Sequence, residues 1–484
     1  MGILRGIIRD GMSGASVEAK VHVLSSNGRF VHPSDSLLKI GPGDPFFYSS
    51  GEFTVNVPRG ATDIIVERGT EYQPLRNVVP MPQKGAVEVE LNLKRWIDLP
   101  SQNWYPGNTH LHYSEKEANP DERLRLDPHV HDLNVTVISI LQRREIPYAS
   151  NKYPIGFMTD YSTAHHLVDC GEENRHNHRR GGMAYGHVMF LRLRNQVDPV
   201  SRGDLVSDFD PDYPPLCYAC DDAKRQGSVV LWCHNGIGME APVAAALGKL
   251  DAFNLFDPYW ADPEYDIWYR LLNCGISLPI STGTDWFICS NNRVYVQTEQ
   301  EFTYNNWLEG LQEGKTFITN GPALFLKIDG MMPGTRLPST NGKSRQLAVE
   351  VSWSSHYPID RIEIVQNGRV VRSHALIGIN QQRHGIQTHA LKIESDGWIA
   401  ARAYGNARDS FAQAIYAHTS PIYIGDGIPA DAINGSAEFF VRSIDDSINW
   451  INKTGRFTQD QQREEILHLF NQGRKVYSNL AGMN

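Results

Sequence analysis

The sequence predicts a multidomain α/β plus β protein, with a central distorted β/α barrel flanked by two β-sandwich domains and a C-terminal helical hairpin. Three observations lead there. The chain has 484 residues, more than one hydrophobic core organises at roughly 150 residues per domain. Short alternating runs dominate the first hundred residues and return after about residue 323, the pattern of half-buried strands. Between them, apolar strand-like runs alternate with segments of helical period, which predicts strands joined by crossover helices.

In chain order, residues 1–100 carry VEAKVHVL, FTVNV, DIIVE and VEVELNL between Gly, Pro and Ser turns, and predict an N-terminal β-sandwich. Residues 101–322 alternate LNVTVISIL, HVMFLRL, SVVLWCH and DAFNLF with the helix-like LCYACDDAKRQ, PEYDIWYRLLN and TYNNWLEGLQEG, and predict the barrel. Residues 323–425 return to strands in LAVEVSW, IDRIEIVQNGRVV and GWIAARAYG, a second sandwich. Residues 426–484 hold two amphipathic segments joined by NKTGRF, the predicted hairpin.

Composition narrows the function classes. With 46 Lys and Arg against 55 Asp and Glu, the net charge is −9, and there is no basic block. Nucleic acid and anionic membrane are therefore not expected as partners, and a small-molecule substrate is. No apolar run approaches the ~20 residues that span a bilayer. Met1 to Lys20 is interrupted by Arg5, Arg9, Asp10 and Glu18, so no signal peptide is read there. The expectation is a soluble chain, cytoplasmic as it stands, or secreted or periplasmic if a leader had been removed. The six cysteines have irregular spacing, and the C-x-x-C of Cys217 and Cys220 has no second pair to complete a zinc ribbon.

The stretch NTHLHYSE places His110 and His112 one residue apart. In a strand both imidazoles face the same side while Leu111 faces the other, a pincer for one metal ion. Nine of the 18 histidines fall between His110 and His187, where uniform scatter would put about three. Further ligand types sit at predicted strand ends, where β/α barrels build their sites. His234 closes SVVLWCH, Asp285 follows ISLPISTGT, Glu173 lies in CGEENRHNH and His187 opens YGHVMFL. Together they supply enough nitrogen and oxygen donors for two divalent cations with one bridging carboxylate, a set that suits Zn, Mn or Fe.

The motifs GNTHLH, GEENRHNH, YGHVMFL, WCHNGIGMEAPVAAALGKLDAF, STGTDWF and EGKTFITNGP resemble, in that order, the series of PHP-domain metallohydrolases, in particular the carbaryl-hydrolase-like CehA/McbA family. The resemblance covers about residues 104–322. It implies a PHP-type barrel in which His110, His112 and Asp285 hold one metal, Glu173 bridges, and His187 and His234 hold the second. The late motif reads Asp285-Trp286-Phe287 rather than the usual Asp-x-His, and no Thr-Asp-His follows LNVTVISIL. The expected centre is therefore dinuclear, with His165, His166, His176 and His178 as residues that could bring in a third ion.

The implied chemistry is hydrolysis of a small ester, amide or carbamate by metal-bound hydroxide. A PHP-class phosphoesterase is the alternative, and a non-catalytic carbohydrate- or surface-binding protein is the third reading. Arg175 and His176 are candidates to stabilise an oxyanion or protonate a leaving group. Glu240 is a candidate to orient a ligand histidine, or else an acidic residue at a helix start. Trp232, Trp260, Trp268 and Trp286 are candidate pocket walls, and the acidic connection 196–215 is a candidate lid. The oligomeric state is left open.

Overall fold

The computed structural model describes residues 1–142, 148–178, 182–203, 206, 210–257 and 264–483, with the side chains of 178, 182, 183, 379 and 381 excepted. The expectations for Trp260, for the His178 side chain and for part of the 196–215 connection lie outside the described residues.

Among the described residues, the centre of the molecule is one long curled sheet of 13 strands. We number them in chain order: β1 (Trp104–Leu111), β2 (Val135–Leu141), β3 (Leu167–His178), β4 (Gly182–Leu191), β5 (Val229–Trp232), β6 (Ala252–Asn254), β7 (Ile280–Ser281), β8 (Arg293–Gln297), β9 (Thr316–Thr319), β10 (Arg361–Gln366), β11 (Arg369–Ala375), β12 (Gly397–Arg408) and β13 (Ala414–Thr419). Across the sheet they run β7-β6-β5-β4-β3-β2-β1-β8-β9-β13-β12-β10-β11. Among the described residues, the helices of six residues or more are α1 (Pro120–Val130), α2 (Leu216–Arg225), α3 (Ala241–Ala246), α4 (Asp266–Asn273), α5 (Tyr304–Gln312), α6 (Ala430–Lys453) and α7 (Asp460–Leu480).

This arrangement corrects the predicted fold class. A β/α barrel needs parallel strands, each reached through a crossover. Among the 13 numbered strands only β1/β2, β2/β3, β5/β6 and β6/β7 are parallel, whereas β3/β4, β4/β5, β1/β8 and β8/β9 are antiparallel. CGEENRHNH and YGHVMFL thus form a hairpin in place of two crossover-linked strands. The protein is mostly β, with 38% strand against 23% helix. The sheet also runs through the expected barrel's end, since β9 pairs with β13. One layer of the presumed second sandwich is therefore an arm of the central sheet. Its other layer is a three-stranded sheet of Ala323–Ile328, Arg345–Ser354 and His384–Ile393, with Leu324, Leu326, Val349, Ile364, Ala401 and Ile422 packed between.

Residues 1–95 form two four-stranded sheets, one holding Gly2–Asp10 and Ala86–Arg95, the other Ala19–Leu24 and Gly60–Glu67. Strict alternation places Leu4, Ile8, Val21, Val23, Ile64, Val66 and Leu91 in the core between them. At the C-terminus α6 and α7 pack together through Phe440 and Tyr477, whose rings are 4.8 Å apart, and through Arg474 on Asp445 at 2.6 Å.

What matters for the site is the curl. Beyond β7 the chain bends back to β1, and the amides of Thr284 and Asp285 both donate to the His110 carbonyl at 2.9 Å. Gly283 permits the approach: a Cβ there would lie 2.3 Å from His110 Cβ and 2.6 Å from its nitrogen. Residues from β1, β3, β4, β5 and the turn after β7 thereby converge on one buried point.

Candidate metal centre

His110 lies next to the end of β1 among buried residues and His112 follows just beyond it, while Leu111 enters an apolar cluster on the other side. Their Nε2 atoms lie 3.0 Å apart. Glu173 Oε2 is 3.0 Å from His112 Nε2 and 3.7 Å from His110 Nε2. Asp285 Oδ1 completes this group at 3.4 and 3.5 Å from the same two nitrogens. The other oxygen of Glu173, Oε1, faces a second group, 2.7 Å from His187 Nδ1 and 3.6 Å from His234 Nε2, with 2.8 Å between those nitrogens. All six residues predicted as ligands thus meet in one place, and Glu173 turns one oxygen to each group. Within each group the donor atoms lie within 4.8 Å of one another.

The outward nitrogen of every imidazole meets an oxygen that can only accept. His110 Nδ1 is 2.8 Å from Asp257 Oδ2, His112 Nδ1 is 2.9 Å from the Ser139 carbonyl, and His234 Nδ1 is 3.0 Å from the Asp257 carbonyl. His187 Nε2 is 3.2 Å from Asn177 Oδ1. Each outward nitrogen therefore carries the proton, and each inward nitrogen presents a bare lone pair in the neutral ring. Two such lone pairs at 3.0 Å repel unless a cation sits between them. The donor set fits a divalent metal on this ground.

Electrostatics point the same way. Burial disfavours charge on His110 and His234, yet Asp285, Cys233 and Asp257 outweigh it at His110, and Glu173, Asp257 and Asp285 outweigh it at His234, so both imidazoles are raised. Burial likewise works against ionised Glu173, and the surrounding histidines hold its carboxyl well below the ordinary range. His187 is instead pushed down to about 4, mainly by burial, and stays neutral. The pocket calls for positive charge and keeps Glu173 and Asp257 ionised.

The supporting turns are strained. His234 and Asn235 have φ of 57° and 56°, and Asp285, Trp286 and Phe287 have φ of 50°, 30° and 65°. These are left-handed conformations that cost non-glycine residues of order 1–3 kcal/mol each and cluster at functional sites.

Other predicted residues are placed differently. Arg175 lies two residues beyond Glu173 on the same face of β3 and directly opposite His187 on β4. His176 faces the other side, where its ring stacks on Tyr185 at 4.2 Å and its Nε2 meets Asp212 Oδ1 at 2.9 Å. Alternation along the strand removes it from the catalytic set. Glu240 does not orient a ligand histidine. Its carboxylate accepts from the Leu216 and Cys217 amides at 2.8 and 2.7 Å and so caps α2. Neither His165 nor His166 reaches the centre: His165 is exposed, and His166 packs on His129 and bonds the Leu133 carbonyl. Trp232 and Trp268 are core residues whose indoles donate to the carbonyls of Ile237 and Leu278. Trp286 is 43% exposed beside Phe287, which in turn neighbours Tyr148.

Sequence reasoning missed Asp257. Fully buried, it holds His110 through Oδ2, the His234 amide through Oδ1 at 2.8 Å, and the His234 ring through its carbonyl. The available signal was its position straight after the strand-like DAFNLF, level with His234 after β5 and Asp285 after β7.

No family model matches the chain, and no curated protein does. Among solved structures, the minor pilin GBS52 of Streptococcus agalactiae is similar over 20% of this chain and 44% of its own, at 16% identity and a TM-score of 0.15. The match spans less than half of that pilin, and its TM-score lends no support to any reading of fold or function.

Proposed function

We propose that the chain is a metal-dependent hydrolase of a small ester, amide or carbamate, built on a dinuclear centre held by His110, His112, Asp285, Glu173, His187 and His234. The carrying observation is the set of four imidazoles whose inward nitrogens are all left bare by outward acceptors, split into two groups by the two oxygens of Glu173. The ordered motifs that resemble the CehA/McbA series support the same reading.

A pair of divalent ions bound there supplies a Lewis acid and lowers the pKa of bound water from about 15.7 toward about 7. The chain's own residues do the rest. Asp257 orients His110 and His234, Ser139 orients His112, and Asn177 orients His187. Arg175, beside His187, is placed to meet negative charge on a bound substrate. Tyr148 and Phe287 bring aromatic surface against the first group, with the Tyr148 ring 6.2 Å from that of His112.

The test is elemental analysis of purified wild type beside His112→Ala, both assayed on aryl esters, amides, carbamates and phosphoesters before and after chelation. The expected result is about two metals per chain and hydrolysis of carbonyl substrates, with both lost in the variant. Preferential turnover of phosphoesters would move the protein to the phosphoesterase class. A metal-free wild type would overturn the proposal and bring forward a binding role.

A further inference from the structure

We propose that Arg175 is the docking cation for a carboxylate carried by the substrate. The inference rests on the hydrolase reading, to which it adds a substrate class. Arg175 is 4% exposed, and both its Nε and its Nη2 are buried without a hydrogen-bond partner. A guanidinium is ionised at any working pH, so its burial without acceptors is costly unless an anion arrives.

The free atoms define the shape of that anion. Nε and Nη2 form one edge of the planar guanidinium, with two N–H bonds pointing side by side. That edge matches the two oxygens of a carboxylate. Among the described residues, the carboxylates in and beside β3 are already committed. Glu173 faces the imidazoles, Glu172 takes Asn174 and the Val197 amide, and Asp212 takes His176 and the Arg456 amide. Each carboxylate alternates away from Arg175 along β3 or has its oxygens occupied.

Placement brings Arg175 to the metal centre, where its charge acts on His187. Arg175 follows Glu173 by two residues on one face of β3 and pairs across the sheet with His187, which puts it beside the second ligand group. Charge balance agrees. Two divalent ions would bring four positive charges against the three carboxylates of Glu173, Asp257 and Asp285 among the described residues, one hydroxide would offset the remainder, and Arg175 then adds one positive charge in excess. A buried pocket with that excess favours an anionic substrate. The aromatic side chains Tyr148 and Phe287 stand against the first ligand group, so an aryl carboxylate is a suitable probe.

The experiment is calorimetric titration of benzoate, and separately of inorganic phosphate, into metal-loaded wild type, Arg175→Met and Arg175→Lys, with metal content measured on each. The expected result is benzoate binding that weakens by about 10- to 100-fold in the Met variant and is not restored by Lys, with two metals retained in all three. Lysine keeps the charge but cannot present the paired donors. Equal benzoate affinity in wild type and Arg175→Met would overturn the proposal, because the carboxylate would then sit on the metals alone. Phosphate binding without benzoate binding would overturn the carboxylate class. Loss of metal in both variants would assign Arg175 to holding the centre and overturn it as well. A wild type that carries no metal yet binds benzoate through Arg175 would sink the hydrolase reading and leave the anion site standing.

Discussion

Asp257 shows how much a single side chain can organise. One carboxylate and its own carbonyl fix both a ligand of the first group and a ligand of the second. Asp257→Asn keeps the shape but leaves one acceptor where two are needed, so either His110 Nδ1–H or the His234 amide faces an NH2 group. We expect metal affinity to fall by about 10- to 100-fold with the fold retained, read by competition with a chelator of known affinity. A second residue-scale expectation concerns Glu71. Its carboxylate is buried where Arg95 and Tyr295 donate to it at 2.7 and 2.9 Å, and burial, with Asp132 nearby, raises it from 4.5 to about 7. A raised carboxyl pKa favours the protonated form in the folded state. Its contribution to stability is therefore present in full below pH about 4.5 and is lost as pH rises through about 7, on the order of 3 kcal/mol at most. Denaturant midpoints measured from pH 5 to 8 should decline for wild type and decline less for Glu71→Gln. Parallel slopes would count against Glu71 as the source.

At the scale of elements, the site is made by strand ends, the turns that follow them and the middle of one hairpin. β1 delivers the His-x-His pair, the β3–β4 hairpin delivers Glu173, Arg175 and His187, and the turns after β5 and β7 deliver His234 and Asp285 in left-handed backbone. Short strands ending at one edge of a curled sheet place such turns next to one another, which is why residues 175 positions apart, His110 and Asp285, can meet. Glu240 belongs to this scale because it acts on a helix. It satisfies two amides at the buried start of α2. Glu240→Ala leaves both unpaired and should cost about 2–4 kcal/mol in urea unfolding, while metal content and turnover per folded molecule stay unchanged. A selective loss of activity at unchanged stability would instead place Glu240 in the reaction.

At the scale of the whole molecule, the C-terminal helices complete the core. Phe440, Ile444, Ile466, Phe470 and Tyr477 are buried, and Tyr477 donates to the Pro242 carbonyl at 2.7 Å beside α3. Each large apolar side chain returned to water costs about 1.5–3 kcal/mol, so removing residues 430–484 forfeits on the order of 10 kcal/mol. That is comparable with the whole net stability of a typical domain, about 5–15 kcal/mol. The truncated chain should be recovered unfolded or aggregated, and a soluble fragment that still binds metal would show that the central sheet folds without this cover. The described residues contain no helix long and apolar enough to cross a membrane. The six cysteines are buried and free, so none forms a disulfide.

Local pattern carried much of this into the sequence. The 3.6-residue period in AEFFVRSIDDSINWI and REEILHLFNQGRKVYSNL coincides with α6 and α7, and the alternation near the N-terminus coincides with its facing sheets. The spacing of His110 and His112 predicted a shared face because side chains alternate along a strand whatever its neighbours are. Other features were not legible, for one physical reason. Whether β3 and β4 form a hairpin or two crossover-linked strands depends on pairing partners, and an apolar run of a given length serves either. The continuation of the sheet from β9 into β13, the freedom of the Arg175 edge and the double grip of Asp257 likewise depend on which distant segments are brought together. Residue types and local periods were set by the sequence alone, and the tertiary structure decided strand direction, sheet continuity and the convergence of the centre, because those arise from long-range hydrogen bonding and burial that no local window contains.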